Sequence, residues 1–257
     1  MSQPPELRES IDRYYTAYYR DTLGIPDWSA LVRRRREEEI LERARLDRLE
    51  ALLGAEALRG RVLNVGCGTG GFNAAAAALG VRVVGVDACA EAIAICSLRP
   101  GAGLGFTQAA AEALPFGDGA FDIVHCFSVI EHVDSVVAAI GEMVRVARCG
   151  GAIYVHTPNA WSLYEGHYKL FWAPFMPRPV ARTYLRLRGR PVAYFATLRR
   201  LTRGAIVRAF SAAGVTDVTF HSGDRPREML SRVRFLSGAY YRLLRVTPYL
   251  ELVARKT

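Results

Sequence analysis

The segment Val62-Leu63-Asn64-Val65-Gly66-Cys67-Gly68-Thr69-Gly70-Gly71 constrains the fold more than any other stretch of the chain. A short apolar run of strand length enters a glycine-rich turn, and an alanine-rich run of helical character, Gly71 to Leu79, leaves it. A buried strand feeding such a turn and helix is the opening unit of a parallel sheet covered on both faces. Glycines at the turn let backbone approach a bound nucleotide-like ligand where a side chain would collide. The alternation continues, predicting strands at 61–65, 82–86, 104–108, 121–126 and 151–156. Helices are expected between them at Gly71 to Leu79, Ala90 to Leu98 and Asp134 to Ala147, the last stopped by Cys149-Gly150-Gly151. A helix from Thr202 to Ala213, a strand from Val215 to Phe220, a helix over 227–246 and a strand from Leu250 to Arg255 complete the pattern. The expected fold class is α/β, a doubly wound, seven-stranded, mostly parallel sheet.

The rest of the chain decorates that sheet. At 257 residues it suits one large α/β domain spanning 1–257. That domain divides into a helical cap (1–59), a ligand-binding core (60–156), an insertion after the fifth strand that would act as a lid (157–201), and the C-terminal part of the sheet (202–257). The cap is helical from Leu7 to Leu53 with a break near Gly24-Ile25-Pro26, and begins with Tyr14, Tyr15, Tyr18 and Tyr19. In it, Arg33 to Arg36 precede Glu37 to Glu39 at ion-pair spacing, which reads as a solvated helix face. No export signal opens the chain, and the longest apolar stretch, Phe72 to Val81, falls short of the roughly 20 residues that span a bilayer. Five scattered cysteines without metal-site spacing read as reduced thiols of a cytoplasmic protein. The net charge of +9 is almost all arginine, as GC-rich bacterial genomes produce, and is not read as a nucleic-acid footprint.

Asp87 stands seventeen residues past Gly70, at the end of the next strand, where a carboxylate accepts hydrogen bonds from ribose hydroxyls. Gly66, Gly68 and Gly71 also satisfy the dinucleotide pattern GxGxxG, so the turn by itself leaves a nicotinamide oxidoreductase open. Further signals follow: Ala111-Glu112-Ala113-Leu114-Pro115-Phe116, then Phe121-Asp122 opening a strand, Ile130-Glu131-His132-Val133, Met143 to Gly151, and Thr157-Pro158-Asn159. As a set, over about residues 60–160, these resemble the class I S-adenosylmethionine-dependent methyltransferases, in the type 11 branch that includes quinone-ring and glycan methyltransferases.

The resemblance implies S-adenosyl-L-methionine as cofactor. It implies Val65, Gly66, Cys67, Gly68 and Gly70 at the cofactor's amino acid portion, Asp87 and Ala88 at the ribose, Ala111 and Glu112 at the adenine, and Phe127 beside the cofactor. Two departures stand out: Asn64 and Ala110 occupy positions where the family usually, or often, carries aspartate.

Methyl transfer from a sulfonium is an in-line displacement, so the protein must chiefly align the acceptor and exclude water. For a hydroxyl acceptor a base must take the proton, and the candidates are His132 and His167, the latter on the insertion with Tyr164. His125 reads as a core residue and His156 as structural. The tyrosines at 14, 15, 18 and 19 either face the cationic cofactor or pack on the domain. The insertion interleaves Tyr168, Phe171, Trp172, Phe175 and Met176 with Lys169 and five arginines from Arg178 to Arg190. That mixture suits an apolar acceptor pocket under a lid, and also peripheral contact of 161–190 with the inner face of a membrane. The leading expectation is O-methylation of a small molecule, glycan or lipid-linked sugar. The alternatives are C-methylation of a prenylated quinone and cofactor binding without catalysis. A nucleic-acid acceptor is not expected, because Cys126-Phe127-Ser128 lacks the turn that grips an extruded base.

Overall fold

A computed structural model describes residues 4–101, 105–222 and 234–257. Its centre is a seven-stranded sheet in the order β3-β2-β1-β4-β5-β9-β8. The strands are β1 (Arg61–Val65), β2 (Arg82–Asp87), β3 (Gly105–Gln108), β4 (Phe121–Phe127), β5 (Ala147–Pro158), β8 (Asp217–His221) and β9 (Tyr249–Arg255). The first five pair in parallel, while β9 runs antiparallel to both β5 and β8. Strand order reverses between β1 and β4, and in such sheets the carboxyl ends at the reversal open a ligand crevice.

Helices α4 (Gly71–Ala77), α5 (Ala90–Cys96), α6 (Val136–Val146) and α9 (Arg203–Ala212) flank the sheet. One core lies where α6 brings Ile140, Met143 and Val146 onto Val124 and Ile153, with Phe210 of α9 beside them. The opposite face packs Val62, Phe72 and Tyr154 against Leu46 and Leu49 of α3 (Glu38–Leu53). Both faces are thus covered, which is why these strands read as nearly continuous apolar runs.

A third apolar cluster joins parts that the sequence reading kept separate. Leu7, Ile11, Tyr15 and Tyr19 of the N-terminal helices pack with Tyr168, Trp172, Leu185 and Phe195 of the insertion. The participants are α1 (Pro5–Thr16), a π-helical turn (Ala17–Thr22) and α2 (Trp28–Arg35), then the ribbon of β6 (Tyr164–Glu165) and β7 (Leu170–Phe171), α7 (Arg178–Leu187) and α8 (Ala193–Thr197). Cap and insertion therefore form one body.

Three expectations need correction or limits. The Asp134 to Ala147 helix ends at Val146, and Cys149-Gly150-Gly151 lies inside β5 rather than stopping a helix. Ala147 pairs with Phe121 but Ala152 pairs with Ile123, so the residues between are looped out, and Gly150 takes the positive φ that the loop requires. The Arg33 to Glu39 run is not one solvated face. The helix breaks between α2 and α3; Arg36 pairs with Asp12, while Glu38 is buried and pairs with Arg99. Of the predicted 227–246 helix, 227–233 lie outside the described residues, as does residue 104 of the third strand; α10 is Arg234–Leu243.

Candidate active site

The glycine turn and the ends of β1, β2 and β4 border a cavity of about 970 Å³. Gly68 has φ +53°, and a Cβ placed on it would meet nothing within 4 Å, so a bare stretch of backbone faces the space. Asp87 Oδ2 accepts from the Gly68 amide at 2.8 Å and Oδ1 accepts from the Cys89 amide at 2.9 Å. These bonds fix the carboxylate, and each oxygen retains a lone pair for a hydroxyl donor. Behind the turn, Thr69 is held from three sides. Its hydroxyl donates to Glu38 Oε2 at 2.7 Å and meets the Tyr15 hydroxyl at 3.1 Å, and its carbonyl accepts from Arg99 Nε at 2.6 Å. Arg99 and Glu38 form a fully buried ion pair at the same place.

On the floor, Asn64 Nδ2 donates to Asn73 Oδ1 at 2.7 Å, and Asn64 Oδ1 accepts from His125 Nδ1 at 2.9 Å. This amide bridge needs one donor and one acceptor on the same side chain, which an aspartate could not supply. His125 stacks between Phe72 and Tyr154, and His156 between Phe127 and Tyr249. Burial lowers the two imidazoles to about 3 and about 4, so both are neutral.

A different pair of imidazoles stands at the other end. His132 follows β4, His167 sits on the β6–β7 turn, and their rings meet edge-on with centroids 5.1 Å apart. Ser128, which leads from β4 to this loop, has φ 56°, an uncommon backbone for a residue with a side chain. His132 Nε2 lies 3.3 Å from the Tyr194 hydroxyl, which meets the Tyr18 hydroxyl at 2.8 Å. His167 Nδ1 donates to Glu165 Oε1 at 2.8 Å, and Glu165 Oε2 accepts from the Tyr168 amide at 2.7 Å. Beneath them Glu131, 1% exposed, accepts from Thr157 Oγ1 at 2.9 Å.

The electrostatics separate these groups. Burial, with His167 nearby, lowers His132 to about 4. For His167 burial also opposes charge, but the Glu165 and Glu131 carboxylates outweigh it and hold its proton more tightly than usual. Burial pushes Glu131 up to about 7 against the pull of His167.

A family model described as a methyltransferase domain matches residues 63–155. The ubiquinone biosynthesis O-methyltransferases of Burkholderia thailandensis and Burkholderia vietnamiensis are similar at 34% and 32% identity over 103 residues, 38% of this chain and 44% of theirs. The chain thus aligns with less than half the length of these curated relatives. Residues 63–155 thus form a methyltransferase domain. Among solved structures, a possible histamine N-methyltransferase from Thermotoga maritima has a TM-score of 0.57 at 17% identity, covering 98% of each chain. A methyltransferase from Archaeoglobus fulgidus has 0.57 at 19%, over 85% of this chain and 94% of that one.

Val65, Gly66, Cys67, Gly68, Asp87, Ala88, Ala111, Glu112 and Phe127 of this methyltransferase domain all line the one cavity, with His132 of the same domain and His167 of the insertion. Gly70 does not line it: its Cα faces Arg99 and Cys96 on the far side of the turn, and a Cβ there would lie 2.9 Å from each. Glu112 Oε1 accepts from the amides of Asp134 and Ser135 ahead of α6, which fixes this carboxylate at the cavity's edge. Tyr14, Tyr15, Tyr18 and Tyr19 line the cavity as well, and burial lifts Tyr15 to about 12, keeping it neutral. Sequence reasoning missed Glu165, Tyr194 and the Glu38–Arg99–Thr69 tie. Only Glu165, two residues before His167, carried a local signal.

Proposed function

We propose that this protein transfers a methyl group from S-adenosylmethionine to a hydroxyl of a small-molecule, glycan or lipid-linked sugar acceptor. The observation that carries the reading is one cavity with the glycine turn and Asp87 at one end and His132 and His167 at the other. A volume of about 970 Å³ leaves room for a nucleoside cofactor and an acceptor together. The bare backbone at Gly68, the fixed Asp87 carboxylate and the small side chains of Ala88 and Ala111 fit the cofactor's amino acid, ribose and adenine portions. Bound there, S-adenosylmethionine supplies an electrophilic methyl group on a sulfonium. Asp87 holds the ribose, the Gly66–Gly68 backbone seats the amino acid end, and the four tyrosines roof the space and exclude water. His167, the more basic imidazole and the one oriented by Glu165, takes the hydroxyl proton.

The O-methyltransferase names of the Burkholderia relatives support oxygen over carbon as the methylated atom. A membrane-associated acceptor is supported by the insertion's surface. Phe171, Val180 and Leu187 are 55%, 55% and 81% exposed beside the exposed Arg182, Arg186 and Arg188. Among the described residues, no helix is long and apolar enough to cross a membrane.

Calorimetric titration with S-adenosylmethionine, S-adenosylhomocysteine and NADH tests the cofactor. Binding of the first two should be lost in Asp87→Ala, and binding of NADH alone would overturn the reading.

A further inference from the structure

We propose that Glu131, His132 and His167 form a site for a divalent transition-metal ion at the acceptor end of the cavity. One donor atom from each of the three lies within 4.8 Å of the other two. Glu131 Oε1 has no hydrogen-bond partner, although the residue is 1% exposed and its other oxygen is engaged by Thr157. A buried carboxylate oxygen without a donor is costly and calls for a counter-charge. His167 Nε2 lies 3.9 Å from this oxygen, too far for a hydrogen bond.

The tautomer sharpens the point. His167 Nδ1 donates its proton to Glu165, so in the neutral ring Nε2 carries a lone pair directed at the lone pairs of Glu131. With no proton on either group these acceptors repel, so a cation must join them: the proton that the carboxylates favour on His167, or a metal ion that displaces it. An ion about 2.0–2.2 Å from each donor, the usual bond length to imidazole and carboxylate, sets tetrahedral donors about 3.4 Å apart, so Glu131 and His167 would close by about half an ångström and His132 would move in by up to about 1.4 Å. A metal-bound histidine characteristically gives its second N–H to a carboxylate, and Glu165 stands in that place.

Two imidazoles and one carboxylate make a borderline donor set, suited to zinc, iron, manganese or cobalt rather than calcium or magnesium. Three protein ligands leave coordination positions open, as in catalytic rather than structural sites. His132 and His167 both line the cavity, whereas Glu131 lies beneath them, so the open positions face the acceptor. An acceptor hydroxyl bound there would be acidified by the ion and would lose its proton to water in the cavity before its oxygen takes the methyl group, with His167 acting as a ligand instead of taking the proton itself. This use of the ion rests on the methyl-transfer reading; the site itself does not.

The full-length protein, stripped with a chelator, is titrated with Co²⁺ while the visible ligand-field absorption is followed, and S-adenosylhomocysteine binding is measured on the same samples. The expected result is one ion per chain. His167→Ala and Glu131→Gln should abolish the band, and Glu165→Gln should weaken binding about 10–100-fold. S-adenosylhomocysteine affinity should persist throughout, which also shows that the variants fold. Absence of stoichiometric cobalt binding, or binding untouched by the first two substitutions, overturns the proposal. Cobalt binding without S-adenosylhomocysteine binding would instead sink the cofactor reading and leave the metal site standing.

Discussion

Two pairs of histidines have opposite characters. His125 and His156 project from adjacent strands into stacks of aromatic rings. Neither has a carboxylate hydrogen-bonded to it among the described residues, and both are held neutral. His132 and His167 come from a loop and an inserted ribbon, and meet Tyr194, Glu165 and Glu131. Residue type does not separate the pairs. Strand positions inherit the sheet's apolar packing, whereas loop positions at its carboxyl edge can be joined by ionisable partners brought from elsewhere in the chain.

The comparison breaks most visibly at His167. Its replacement by alanine is expected to lower methyl transfer by about 10²–10⁴-fold with S-adenosylhomocysteine affinity unchanged, measured by steady-state turnover and calorimetry. A comparable loss of turnover in His125→Phe would erase the distinction between the pairs. That second substitution keeps the ring stack but removes the bond to Asn64, and should cost about 1–3 kcal/mol in urea unfolding at neutral pH. The deficit has a pH signature. His125 is held down at about 3 in the folded protein, against an ordinary value of about 6.5. As pH falls below 6.5 the unfolded chain takes a proton that the folded one refuses, so wild-type stability drops. The phenylalanine variant lacks this loss, and its deficit should shrink on acidification.

The smallest effect expected is in Glu165→Gln, where turnover at optimum pH falls by less than in His167→Ala and the acid limb of kcat/KM moves. Base and ligand alike need the free lone pair of His167. The Glu165 carboxylate holds the proton on that ring, so losing its charge should shift the acid limb to lower pH. A shift to higher pH would show that Glu165 does not set the state of His167.

The sheet was legible because its strands are buried on both faces and separated by glycine turns and amphipathic helices, all local signals. Val62 to Gly71 and Asp87 marked one end of the cavity for the same reason: the turn and the next strand's end are adjacent by topology. The opposite end of the cavity is made of pairings across long stretches of chain. Tyr18 meets Tyr194, and His132 meets His167. No spacing rule reports such contacts. Glu38 was misread because its neighbours look like a charged helix face, and only the fold reveals Arg99 waiting behind the turn.

That tie carries a consequence for binding. Tyr15 and Glu38 grip Thr69 from the N-terminal segment, and the tyrosines of the same segment roof the cavity. Whatever occupies the space and the helices that cover it therefore hold one another in place. Linkage makes the two effects equal: a ligand that slows amide exchange in α1 by some factor must lose affinity correspondingly when α1 is detached. Filling the cavity would then steady the first helices, and detaching those helices would weaken whatever the cavity holds, without any change in its contacts with the sheet.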